Sequence, residues 1–240
     1  MDDVEPFPAE GRRPTIEVVN GDAVAWLRAH RPSPGDCLLS SLPDPAELSL
    51  GMDDWRAFFI DAADACLAAV PPEGAAVFLQ TDKRVAGAWI SKAGLLLEVA
   101  ARRGTPLIFH KIVLRHPAGL VAQGRPTYSH LLGFSGTGRM PDAKSTADVI
   151  AVPGAAAWSH GMGAEVAKAA IRAIQAVAPQ SRRLLAPFCG LGEALMAAQA
   201  AGMDGVGVER NRKRAERCRA RLAGEPLMLR GRGPAGPAAP

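Results

Sequence analysis

Short apolar runs alternate with stretches of helical periodicity along most of this chain. TIEVVNGD (15–22) reads as a short strand that ends at Gly21-Asp22, and AVAWLRAH follows as a short helix. GDCLLSSL (35–42) reads as a second strand. DDWRAFFIDAADACLAAV (53–70) sets Trp55, Phe58, Phe59, Ala62, Cys66, Leu67 and Val70 at helical spacing, and PPEG stops it. AAVFLQTD (75–82) predicts a third strand, and AWISKAGLLLEVAARRG (88–104) predicts a helix with a glycine stop.

The rhythm then changes. PLIFHKIVLR (106–115) and YSHLLGFS (128–135) are two strands with no helix between them. HPAGLVAQGRPT is too short for a crossover and suits an antiparallel pair. Residues 136–158 read as a loop, 163–179 as a helix, and RLLAPFCGLG (183–192) as a strand entering a glycine turn. EALMAAQAAG is a helix, DGVGVER (204–210) a strand, and 211–223 the last helix. About seven strands interleaved with helices predict an α/β fold: a mostly parallel, doubly wound, Rossmann-like sheet with one reversed strand near an edge. Ligands of such sheets bind beyond the carboxyl ends of the strands. Those ends are Asp22, Ser41–Asp44, Thr81-Asp82, Phe188–Gly192 and Glu209.

Composition narrows the class. The 240 residues are 48% hydrophobic and 22% charged, which supplies a sizeable core and excludes a disordered chain. We expect one domain over 15–223, with flexible segments at 1–14 and 224–240. A net charge of +4 permits a nucleic-acid partner without demanding one. The basic run RNRKRAERCRARL (210–222) reads first as a solvated helix face. Cys37, Cys66, Cys189 and Cys218 have neither zinc-site nor disulfide-framework spacing. The acidic, proline-rich start does not resemble a signal peptide, and no apolar run reaches membrane length. A reduced, cytoplasmic protein without a membrane partner is expected.

The block APFCGLGEALMAAQAAGMDGVGVE carries the chemistry. A strand ends in Gly190-Leu191-Gly192, a helix follows, and the next strand ends in Glu209. The glycines let backbone turn tightly and approach a ligand, and the acid can accept hydrogen bonds from ribose hydroxyls. A dinucleotide fingerprint wants a third glycine where Leu195 stands, so an adenosyl ligand without pyrophosphate suits the pattern better than NAD.

This block resembles the DPFxGxGTTxxAA…GxxxxGxE block of S-adenosylmethionine-dependent amino-methyltransferases of nucleic-acid bases. IEVVNGDA looks like the family's xGDxxxxL, CLLSSLPD falls at DLIxTSPPY, and FHKIVLRHPAGLVAQGRPTYSHLLGFS resembles its WxKxNxxP…RPxxxHExIxxF strand pair. SHGMGAEVAKAAIRAI sits at HPTxKPxxLxxxxI. The order matches the circularly permuted, beta-class-like members, over about residues 15–222. The resemblance implies S-adenosyl-L-methionine as cofactor. It places Phe188, Cys189, Gly190 and Gly192 under the methionine part, Glu209 at the ribose, Asp22 beside the adenine, and His160 over the cofactor. Asp22 also reads as a helix N-cap, and His160 as a plain loop residue.

The family's (D/N/S)PP(Y/F/W) tetrad accepts hydrogen bonds from the target amine and stacks an aromatic ring on the flipped base. Here it is Ser41-Leu42-Pro43-Asp44. Leu42 replaces a proline and Asp44 replaces the aromatic. Three readings stay open: Asp44 serves a different nucleophile as base or acceptor; Phe109, Trp158, Tyr128 or Trp55 stacks instead; or catalysis is lost. Cys37 and Cys189 read as buried small hydrophobes and not as carbon-5 nucleophiles.

No stretch is long enough for an inserted DNA-recognition domain. That favours structured RNA, tRNA by analogy, with Lys111, Arg125 and Tyr128 toward substrate and Lys83, Arg84, Arg115, Arg139 and Lys144 as further cations. The alternatives are a DNA amino-methyltransferase relying on a partner or homodimer, a small-molecule or protein methyltransferase, and a catalytically silent binding module.

Overall fold

The computed structural model describes residues 12–122, 126–142, 146–157 and 161–225. His160, Arg125, Lys144 and Trp158, singled out in the sequence, lie outside them. The strands are β1 (Ile16–Asn20), β2 (Asp36–Ser40), β3 (Ala76–Gln80), β4 (Lys83–Val85), β5 (Ala88–Ile90), β6 (Leu107–Leu114), β7 (Tyr128–Phe134), β8 (Val149–Ile150), β9 (Arg183–Pro187) and β10 (Asp204–Glu209). The helices are α1 (Ala23–Ala29), α2 (Pro45–Leu48), α3 (Met52–Ala68), α4 (Lys92–Arg103), α5 (Ala164–Val177), α6 (Glu193–Ala200) and α7 (Arg212–Leu222).

An eight-stranded sheet runs β1-β10-β9-β2-β3-β7-β6-β8. Only β7 is reversed, antiparallel to β3 on one side and β6 on the other. The seven strands expected from the sequence all lie in this sheet, and β8 adds a short parallel edge beside β6. Strand periodicity then divides the core. Cys37, Leu39, Val77, Leu131 and Leu184 face α5, α6 and α7, whereas Leu38, Phe78, Leu132 and Leu185 face α1, α3 and α4. β2 is buried throughout because β9 and β3 pair with it and helices cover both faces. None of the described helices is long and apolar enough to cross a membrane.

One expectation needs correcting. The helix expected from residue 88 begins at Lys92, and Ala88–Ile90 instead pair with Lys83–Val85 in a separate β4–β5 hairpin. The reason is capping. Ser91 Oγ accepts the Gly94 N–H at 3.0 Å, while Asp82 Oδ1 accepts the N–H groups of Lys92 at 2.8 Å and Ala93 at 3.3 Å. Three donors of the first helical turn are thereby satisfied from outside the helix, which sets its start.

At the amino end of the sheet, Asp36 takes a bidentate pair from Arg183, Nε at 2.7 Å and Nη2 at 3.0 Å. It also bonds His30 Nε2 at 3.0 Å and the Ser33 N–H at 2.9 Å. Burial raises its pKa, but Arg183, the Ser33 N–H and His30 outweigh burial and hold the carboxyl below its ordinary value. The pair locks β2 to β9 in register. Asp36→Ala is expected to lose about 3 kcal/mol of stability, because Arg183 and the Ser33 N–H lose their acceptor. In urea unfolding the gap from wild type should be full at neutral pH. It should close as pH falls through the depressed folded pKa, where the wild-type carboxyl also protonates.

Candidate active site

The carboxyl ends of β1, β10, β9, β2 and β3 lie side by side, and two cavities open above them. The first, of about 450 Å³, lies over β9, β10 and β2. Asp22, Phe188, Cys189, Gly190 and Glu209 line it, as do Ser41, Leu42 and Pro43. Gly192 lies just behind its wall as the N-cap of α6.

The turn after β9 is built from unusual backbone. Phe188, Gly190 and Gly192 have φ of 59°, 56° and 84°. For phenylalanine this left-handed conformation costs about 1–3 kcal/mol. Neighbouring contacts hold it: Phe188 packs edge-on against Phe58 at 6.1 Å, and the Cys189 N–H donates to Val208 O at 3.0 Å. Glu209 then clamps the turn. Its buried carboxylate accepts the Gly190 N–H at 3.1 Å and the Asn211 N–H at 2.7 Å. From the far side, Arg221 donates to Leu191 O and pairs with Glu193 at 3.0 Å. Asp22 Oδ1 accepts the Ala25 N–H at 2.8 Å and so caps α1 while lining the cavity.

Cys189 and Cys37 stay inert. The hydrogen bond with Cys218, together with burial, pushes the Cys189 thiol up, and burial pushes the Cys37 thiol up to about 12. Thiols held protonated are poor nucleophiles.

The second cavity, of about 690 Å³, adjoins the first. Ser41 and Leu42 line both, so this short segment stands where the two spaces meet. It is rigidly held. Ser40 Oγ donates to Pro187 O at 2.8 Å, the Leu42 side chain is buried, and Trp55 Nε1 donates to Pro43 O at 3.0 Å. Asp44 lines the second cavity at the head of α2, its N–H bonded to Glu47 Oε1 at 3.0 Å. Its carboxylate meets Lys92 Nζ at 2.6 Å and Lys83 Nζ at 3.5 Å. Burial raises the Asp44 pKa, but the two lysines outweigh burial and hold it below its ordinary value. At neutral pH Asp44 is therefore a hydrogen-bond acceptor and a poor proton acceptor.

Of the aromatic substitutes expected from the sequence, the three among the described residues do not line this cavity. Trp55 is fully buried on the core face of α3, Phe109 is buried among the core residues facing α5, and Tyr128 packs edge-on against His130 at 5.2 Å. Among the described residues no aromatic side chain lines the second cavity. Lys111 does not line it either: it is buried, and its Nζ donates to Thr146 O at 2.8 Å and meets Asp148 at 3.3 Å. Lys83, Arg84 and Arg115 do line it. Asp82, one of the strand ends named from the sequence, lines it too, as do Lys92 and Arg214, which the sequence did not single out as site residues. The only signal for Lys92 was the serine before it, a helix N-cap that a continuous helical reading conceals.

No family model and no curated protein sequence matches this chain. Solved structures do. A putative DNA modification methylase from Thermus thermophilus, complexed with S-adenosyl-L-methionine, superposes with a TM-score of 0.69 at 19% identity, over 90% of this chain and 96% of that one. The cytosine-N4-specific PvuII DNA methyltransferase gives 0.68 at 12% identity, over 88% and 89%. The M1.HpyAVI complex with S-adenosyl-L-methionine gives 0.61 at 13% identity, over 87% and 99%. This chain has the Rossmann-like fold of these methyltransferases. The mainly parallel sheet with one reversed strand, expected from the alternation of elements, is that fold.

The turn after β9 tolerates little change. A Cβ at Gly192 would sit 2.5 Å from Cys218 Sγ, on backbone already at positive φ. Gly192→Ala is expected to lose about 2 kcal/mol in chemical denaturation. A loss within error of zero would mean that the turn is not held as described.

Proposed function

We propose that this protein transfers the methyl group of S-adenosylmethionine to an exocyclic amine of a DNA base. The observation that carries the reading is the meeting of the two cavities at Ser41-Leu42, one lined by the Glu209-clamped turn and the other by Asp44. The first suits an adenosyl cofactor. Glu209 can accept ribose hydroxyls with its remaining lone pairs, Asp22 lies toward the base, and the strained turn at Phe188–Gly192 leaves room for the methionine part. The bound cofactor would supply an electrophilic sulfonium methyl.

The chain's own residues then position the nucleophile. The Ser41 side chain and the Leu42 carbonyl accept the amine's N–H groups, which localises its lone pair and stabilises the charge it gains. Asp44, kept ionised by Lys92 and Lys83, adds a further acceptor for a substrate N–H. The proton released from the methylated nitrogen passes to solvent and does not reside on Asp44. In chain order the Ser41–Asp44 segment precedes the glycine turn, an order that suits the permuted, beta-class-like reading.

DNA is preferred over the structured RNA expected from the sequence. That expectation rested on compactness, and the Thermus methylase is equally compact, since 96% of it is covered by this chain.

The test incubates labelled cofactor and protein with total DNA and, separately, total RNA from a strain lacking the gene, followed by nucleoside digestion. Label is expected on an amino-methylated deoxynucleoside. Gly190→Asp should abolish cofactor binding by placing a carboxylate into the turn. Asp44→Ala should keep cofactor binding and lose about 100-fold in transfer. Full activity of the Asp44 variant would reduce the acid to a turn residue, and label confined to RNA would overturn the DNA assignment.

A further inference from the structure

We propose that the β4–β5 hairpin grips the DNA strand beside its target base, with Trp89 as the platform on which an unpaired neighbouring base stacks. The inference rests on the function proposed above. The hairpin stands apart from the main sheet, springing directly from the carboxyl end of β3. Its turn places Ala86 at φ 48° and Gly87 at φ 80°, the two positive values of a tight hairpin turn that follows strand twist. The arm is short, three residues in each strand.

Trp89 remains 43% exposed. Its indole N–H is nevertheless fixed to Asp82 Oδ2 at 3.0 Å, and the Arg84 guanidinium lies 5.0 Å from its ring centre. Asp82 is itself part of the wall of the second cavity and caps α4, so the ring is anchored to that wall. Lys83 and Arg84 line the same cavity, and Lys83 also meets Asp44. An exposed indole tethered through its N–H, with the Arg84 guanidinium over its ring and Lys83 next along the strand, matches a stacking platform with a cationic neighbour for phosphate. The cavity itself offers no aromatic ring among its described residues, and an acid stands where a stacking ring would. The hairpin supplies at the rim what the cavity lacks.

The test measures binding of single-stranded DNA, the matching blunt duplex and RNA of the same sequence by fluorescence anisotropy. It compares wild type, Trp89→Ala, Trp89→Phe and Arg84→Ala, with calorimetric S-adenosylmethionine affinity and thermal melts run in parallel. Wild type is expected to prefer single-stranded DNA. Trp89→Ala should weaken that binding about tenfold, Trp89→Phe should restore most of it, and cofactor affinity should be unchanged. Should Trp89→Ala melt early, Arg84→Ala carries the test, with weaker binding and a shallower salt dependence. If wild type binds single-stranded DNA and the Trp89 and Arg84 variants bind it equally well, the hairpin assignment fails while the proposed function stands. If wild type binds cofactor but no DNA, both fail. Tighter binding to RNA than to DNA would overturn the choice of partner.

Discussion

The carboxyl edge of this sheet is organised around one residue, Glu209. Its carboxylate accepts backbone N–H groups from Gly190 and Asn211, and its carbonyl accepts the Gly21 N–H at 3.2 Å and Asn20 Nδ2 at 2.8 Å. The glycine turn, the start of α7 and the end of β1 are thus set relative to one acid. These donors, with Arg214 Nη1 at 3.9 Å from the carboxylate, replace the water that burial removes. Asp22, one residue beyond Gly21, inherits its place at the cavity from the same anchor.

The second constraint is the charge arrangement at Asp44. In a tetrad that ends in an aromatic ring, the last position offers a flat apolar surface. Here it offers a carboxylate held by Lys92 and Lys83. Removing either lysine's charge would take away an interaction that opposes burial and so raise the acid's pKa; this network favours Asp44 as acceptor over acid. Lys92 is buried almost completely, an uncommon state for lysine without a partner at 2.6 Å. The same lysine begins α4, whose start is capped by Asp82. Helix capping and site electrostatics therefore share residues.

Much of the fold was legible in the sequence because strand and helix periods differ and glycine turns punctuate them. The turn at Gly190–Gly192, the acid at Glu209 and the Ser41–Asp44 segment came together as their places at strand ends implied. What stayed hidden depends on contacts between distant residues. AWISK has helix-compatible residues, and only Asp82, reaching Lys92 and Ala93 from across the hairpin, fixes where the helix starts. Lys111 looked like a substrate cation from its place on a strand, yet it is buried and spent on Thr146 and Asp148. The exposure of Trp89 and the burial of Trp55 are likewise set by tertiary packing, which residue type alone does not encode.

The most direct test is a crystal structure of the full chain grown with S-adenosylmethionine. The cofactor is expected in the cavity over β9 and β10, with its ribose hydroxyls on the Glu209 carboxylate and its sulfonium methyl directed at Ser41-Leu42. Cofactor bound elsewhere, or a methyl turned away from that segment, would contradict the proposed chemistry.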